Sequence, residues 1–130
     1  MKVFILEDDP QRMELFHEVL RDHDVVRVDN VADAVRKFKP PYDVICLDHD
    51  LGGQVYVPSD HENTGYQFAK HLASNERCGN QQVVVHSWNM VGARRMVDTL
   101  KRVGWTVAAE PFGPTLLNAL KAMETQNATP

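Results

Sequence analysis

Only two cysteines occur among the 130 residues, Cys46 in an apolar run and Cys78 in a polar stretch. Both read as reduced, which excludes a disulfide-stapled fold and makes a cytoplasmic location the expectation. No apolar stretch approaches the ~20 residues that span a bilayer, so no membrane association is expected. The first residues run straight into a strand pattern, without the basic region, apolar segment and cleavage site of a secretory signal. Positive charge is not in excess either: the formal net charge is −4. That excludes a broad basic face for nucleic acid but leaves room for a small phosphorylated ligand gripped locally. Repeats, linkers and low-complexity segments are missing, and the length suits one domain with a real core.

What the chain does have is a set of apolar runs that stop abruptly at polar residues. Residues 3–6 run into Glu7-Asp8-Asp9, residues 44–47 into Asp48-His49-Asp50, and residues 83–85 into His86-Ser87-Trp88-Asn89. Runs of this length, separated by helical stretches, predict parallel strands buried on both faces. Strands are expected over 2–7, 25–28, 42–47, 82–86 and 105–109. Asp9-Pro10 starts the first helix as a carboxylate cap followed by proline, Asn30 caps a second, and Pro40-Pro41 ends it. Thr64 is expected to cap a third helix, residues 91–103 form a fourth closed by Gly104, and a last follows Pro114. The stretch 54–63 exceeds the usual strand-to-helix connection and reads as a lid or binding loop. Residues 125–130 read as a polar tail after a single domain over 1–124.

Five strands alternating with five helices predict a flavodoxin-like, doubly wound α/β sheet in the order 2-1-3-4-5, with helices on both faces. Ligands of such sheets bind at the carboxyl ends of the strands. There Asp8, Asp9, Asp48 and Asp50 would meet, and carboxylates crowded together repel unless a cation sits among them. Hard oxygen donors favour Mg²⁺ or Mn²⁺. Asp48 and Asp50, two apart, point the same way if extended, with His49 opposite; Asp50 is a metal ligand or only a turn former. His49 and His86 are either structural imidazoles or general acids to a leaving oxygen. Alternation lets only one of His86 and Ser87 face the site cleanly. Gly52 and Gly53 would let backbone approach a phosphate. Trp88 and Asn89 are helix-start packing and a cap, or a base platform with an amide beside it. Arg94 lies on a solvated basic face or reaches a substrate phosphate.

The sequence resembles the receiver domains of two-component signalling over nearly its whole length. The matching residues are Asp8-Asp9 after strand one, Asp48 after strand three, Ser87 after strand four and Pro111-Phe112 after strand five. The resemblance implies metal binding by the acidic pair, phosphorylation of Asp48, and a Ser87 hydroxyl that senses the phosphoryl group. It breaks at Glu110, where receivers carry a lysine that pairs with a phosphoryl oxygen. At ~4 Å and an effective dielectric near ~20, each unit charge is worth ~4 kcal/mol, so this exchange disfavours a stable aspartyl phosphate. Glu110 therefore either points away or belongs to a rebuilt substrate site.

Asp48-His49-Asp50-Leu51-Gly52-Gly53, Asn63-Thr64-Gly65 and His86-Ser87-Trp88-Asn89 are similar to a divergent branch, the cyclic-phosphate-processing receiver domains. That resemblance implies a metal-dependent phosphoesterase acting on cyclic nucleotides or RNA ends. In it Asp8, Asp9, Asp48 and Asp50 hold the ion, and Asp48, His49, His86 and Ser87 carry the chemistry. Gly52, Gly53, Asn89, Arg94 and Glu110 would contact the substrate. A signalling receiver phosphorylated on Asp48 and an inert binding module are the rival readings. The chain is expected to act as a monomer or weak dimer.

Overall fold

The computed structural model describes residues 1–53, 56–75 and 81–128, the last stretch with side chains through residue 123. Cys78 and positions 54 and 55 of the long loop lie outside the described residues. Strands β1 (Lys2–Leu6), β2 (Asp24–Val28), β3 (Val44–Leu47), β4 (Gln82–Val85) and β5 (Thr106–Ala109) alternate with five helices. These are α1 (Pro10–Val19), α2 (Val31–Lys37), α3 (Gly65–Ala73), α4 (Met90–Arg102) and α5 (Pro114–Ala128). All strand pairs are parallel, in the expected order β2-β1-β3-β4-β5. The segment expected as a tail begins as helix: α5 continues to Ala128. No glycine or proline in residues 125–128 stops it.

The central strands are buried on both faces, which is why they lack polar alternation. On one side Phe4, Leu6, Ile45, Leu47, Val83 and Val85 pack with Phe68 and Leu72 of α3 and Met96 and Leu100 of α4. On the other, Val3, Ile5, Val44 and Cys46 pack with Phe16 and Leu20 of α1 and Leu116 and Leu120 of α5. Each large side chain so buried contributes about 1.5–3 kcal/mol. Cys46 is a free thiol in this second layer, pushed up to about 12 by burial, and so inert.

Helix starts aim the loops that matter. Asp9 caps α1, its Oδ1 accepting from the Gln11 amide at 2.9 Å and the Arg12 amide at 3.3 Å. Asn89 caps α4 by accepting from the Gly92 amide at 3.0 Å. Thr64 occupies the cap position of α3 but makes no side-chain cap bond. Its hydroxyl instead donates to the carbonyls of Ser59 (3.2 Å) and His61 (3.1 Å), holding the long loop shut. Gly65 brings α3 against β3: a Cβ there would stand 1.8 Å from the Asp48 carbonyl oxygen.

Candidate functional site

Leu6, Leu47 and Val85 are register partners across β1, β3 and β4. One residue further along each strand stand Glu7, Asp48 and His86. Alternation turns them towards α1, the face of Ile5, Cys46 and Phe16. Register thus gathers two carboxyls and an imidazole, all buried, at the floor of the sheet's carboxyl end. His86 Nε2 lies 3.2 Å from Glu7 Oε1, and the Asp48 carboxyl stands beside them. One ligand atom from each of the three falls within 4.8 Å of the others.

Charge in this row is poorly compensated. Burial raises the Asp48 carboxyl to about 7, reinforced by Glu7 against the opposing field of His86. Burial raises Glu7 as well. Burial lowers His86 to about 4, so it stays neutral near pH 7, and its Nδ1 has no hydrogen-bond partner. Arg12 approaches from α1, 3.7 Å from Glu7 Oε1 and 3.9 Å from Asp48 Oδ2. Asp48 Oδ1 accepts from its neighbour's amide, His49 N–H, at 2.8 Å, so Oδ2 is the oxygen facing the opening.

Above this floor is a cleft of about 610 Å³ whose lining includes Asp8, Asp9, Arg12, Asp48, Asp50, Gly53, Tyr56, Ser87, Trp88 and Asn89. Asp8 Oδ2 accepts from the Gly53 amide at 2.6 Å, joining the first and third strand ends. Gly52 and Gly53 both hold φ of +75°, which glycine alone adopts without strain. Ser87 Oγ accepts from the Asn89 amide at 3.0 Å. The Trp88 indole N–H donates to the Phe112 carbonyl at 3.0 Å, yet its ring stays largely exposed, as does Tyr56.

Beside the cleft lies a second, saturated polar network. Asp50 accepts from the amides of Tyr56 (2.6 Å) and Val57 (3.1 Å) and from Asn89 Nδ2 (3.0 Å). His49 Nδ1 is 2.8 Å from Asp50 Oδ1, and its Nε2 is 2.9 Å from Ser59 Oγ. Burial alone would raise Asp50, but Asn89, His49 and the two amides together hold its carboxyl below the usual range. The His49 ring packs on Gly92 of α4, where a Cβ would come within 2.5 Å of it. The described part of the long loop is therefore fastened to α4 rather than hinged as a lid.

The structure thus brings Asp8, Asp48 and Ser87 together as expected and redistributes the others. Asp9 also lines the cleft, its Oδ1 taken by the α1 cap and its Oδ2 3.9 Å from Arg12 Nε. Asp50 and Asn89 organise the loop, their polar atoms already engaged. His49 and His86 both leave the cleft, on opposite faces of the sheet. The first faces α4 because alternation sends it there; the second lies beneath Glu7. Arg94 is exposed on α4 outside the cleft, and Glu110 is half-buried after β5, also outside its lining. Sequence reasoning passed over Glu7 and Arg12. Glu7 carried a signal: Asp9-Pro10 already claims Asp9 for the cap, so the acidic pair at the strand end is Glu7-Asp8. Arg12 carried none, since its place depends on Trp88 and Phe112.

Comparison with solved structures shows the receiver fold. The phosphorylated cyanobacterial phytochrome response regulator RcpA is similar with a TM-score of 0.66 at 19% identity, over 98% of this chain and 94% of that one. The Mn²⁺-bound form of response regulator Rcp1 gives 0.65 at 16% identity, covering 95% and 91%. The receiver domain of the Pseudomonas aeruginosa sensor histidine kinase PA1611, with magnesium in its active-site cleft, gives 0.62 at 21%, covering 93% and 94%. Within that class the chain belongs to the cyclic-phosphate processing receiver domains, the family that matches residues 1–102. No curated protein matches it. Among the described residues no helix is long and apolar enough to cross a membrane.

Proposed function

We propose that this domain is a divalent-metal-dependent phosphoesterase that opens cyclic phosphodiesters in the cleft over Asp48. The observation that carries the reading is the Glu7–Asp48 pair. Two adjacent carboxyls, both raised by burial, lie at the floor of a cleft that Asp48 lines together with the Arg12 guanidinium. Raised carboxyls in a cleft suit proton transfer near neutral pH better than they suit stability. The family's association with cyclic phosphates supports the substrate class, and the missing lysine at Glu110 argues against a long-lived phospho-aspartate.

The donor set fits a hard cation: Glu7 and Asp48 would hold Mg²⁺ or Mn²⁺, with His86 adjoining and Asp8 on the cleft lining able to complete the oxygen set. When bound, such an ion supplies Lewis-acid polarisation of the phosphoryl oxygens. Asp48 Oδ2, open to the cleft, takes a proton from the attacking water. That water's oxygen forms the new bond to phosphorus as the ester bond to one ring oxygen breaks. Glu7, beside Asp48, shares in the charge change. Neither histidine is placed to protonate the departing oxygen, so that proton comes from solvent at the open mouth. Ser87 and Gly53 also line the cleft, and the Ser87 hydroxyl orients the phosphate.

Incubation of the full chain with Mn²⁺ and a 2′,3′-cyclic nucleotide tests this. Ring opening to a monophosphate, reduced at least ~100-fold by Asp48→Asn, is the expected outcome for loss of a general base. The rival, favoured by Asp48 and Ser87 standing where receivers place their acceptor and hydroxyl, is phosphorylation of Asp48. A small phosphodonor with Mg²⁺ that leaves a stable one-phosphoryl mass gain on Asp48, with no ring opening, would reverse the assignment.

A further inference from the structure

Arg12 is the sole basic side chain among the described residues that line the cleft. Its guanidinium stacks over the Trp88 ring (5.0 Å to the centroid) and near the Phe112 ring (5.4 Å). Trp88 is itself pinned to the Phe112 carbonyl, so three elements, α1 and the ends of β4 and β5, fix this cation. Its nearest carboxylate oxygens, on Glu7, Asp9 and Asp48, are 3.7–3.9 Å away. Those distances give charge attraction without good hydrogen bonds, leaving the planar fork of donors uncommitted. Meanwhile Glu110 supplies no cation at the β5 end.

We infer that Arg12 is the phosphoryl-binding cation of this site. The role has moved from the end of β5 to the first turn of α1, where the retained Phe112 ring now supports the guanidinium. A phosphoryl group over Asp48 Oδ2 would meet the fork bidentately, a geometry lysine cannot supply. Trp88 is then a positioning residue that acts through Arg12. The inference rests on the reading that a phosphoryl group sits over Asp48, but it does not require turnover.

Orthovanadate binding to the full chain in the presence of Mn²⁺, measured by titration calorimetry, tests it. Charge-assisted hydrogen bonds of this kind predict that Arg12→Gln weakens vanadate about 10–100-fold, and that Arg12→Lys recovers only part of the loss. Mn²⁺ binding without vanadate should be unchanged or tighter in Arg12→Gln, because a competing positive charge is gone. Trp88→Ala, which leaves the charge but removes its support, should weaken vanadate about 3–10-fold. Wild-type protein that binds no vanadate, or an Arg12→Gln affinity within about threefold of wild type, overturns the inference. Arg12-dependent vanadate binding without cleavage of any cyclic phosphate upholds it while removing the phosphoesterase reading.

Discussion

Asp48 and Asp50 stand two residues apart on one strand end, and their surroundings drive them in opposite directions. Asp50 is met by two backbone amides, an asparagine amide and an imidazole, and its carboxyl is held below the usual range. Asp48 receives one amide, faces a second buried carboxyl, and is pushed up to about 7. Both are acids at the rim of the same sheet. A saturated carboxylate holds a loop in place, whereas an under-compensated one stores a demand that a cation or a proton must meet. The loop region is built for stability, and the Glu7–Asp48 row gives stability up.

The largest effect should come from disturbing the backbone that carries both regions. Gly65→Ala puts a methyl 1.8 Å from the Asp48 carbonyl, so α3 must move; a loss of roughly 3 kcal/mol or more in urea denaturation is expected. Next is Asp50→Ala, which strands the Tyr56 and Val57 amides and the Asn89 side chain. It should cost about 2–4 kcal/mol and loosen the loop in hydrogen exchange. Asp48→Asn should act in the reverse sense. In chelator at pH 8 it should stabilise the fold by roughly 1–3 kcal/mol, because a buried charge is removed. An Asp48→Asn protein less stable than wild type there would erase the contrast.

The pH dependence sharpens it further. The folded protein keeps the Asp48 proton up to about 7, whereas the unfolded chain releases it near 3.8. The unfolded state therefore binds fewer protons in that window, and the Asp48 contribution is lost as pH rises from about 4 to about 7. Asp50 runs the other way: its lowered carboxyl stabilises the fold above the unfolded value and loses that effect as pH falls through the folded one. His86, neutral in the fold, also makes acid destabilising below 6.5. The stability difference between wild type and Asp48→Asn cancels the Asp50 contribution, and it should grow in favour of the variant across that window. A difference that stays level would mean Asp48 is already compensated.

Most of the fold was legible in the chain, because each strand run ended at a helix cap or a proline that the structure retains at Asp9-Pro10, Asn30 and Asn89. Asp8, Asp48 and Ser87 were legible as site residues because strand ends in a parallel sheet share one edge. What escaped were facts of facing and packing. Glu7 looked like the last residue of a strand; the Asp9-Pro10 cap pointed to the Glu7-Asp8 pair, and register with Asp48 and His86 puts Glu7 in the floor. His49 read as either a structural imidazole or a general acid, and contacts with Gly92 and Ser59 favour the first. Arg12 drew no reading, since no local pattern forecasts an indole and a phenyl ring arriving from beyond two other strands to hold it.

The most direct test is calorimetric titration of Mn²⁺ into the wild-type chain at pH 7, repeated in buffers of different ionisation enthalpy. Because Asp48, pushed up to about 7, is protonated in part of the molecules at pH 7 and a cation must displace that proton, binding should release up to about one proton, and Asp48→Asn should abolish most of that release. Binding with no proton release, or no binding at all, would contradict the account.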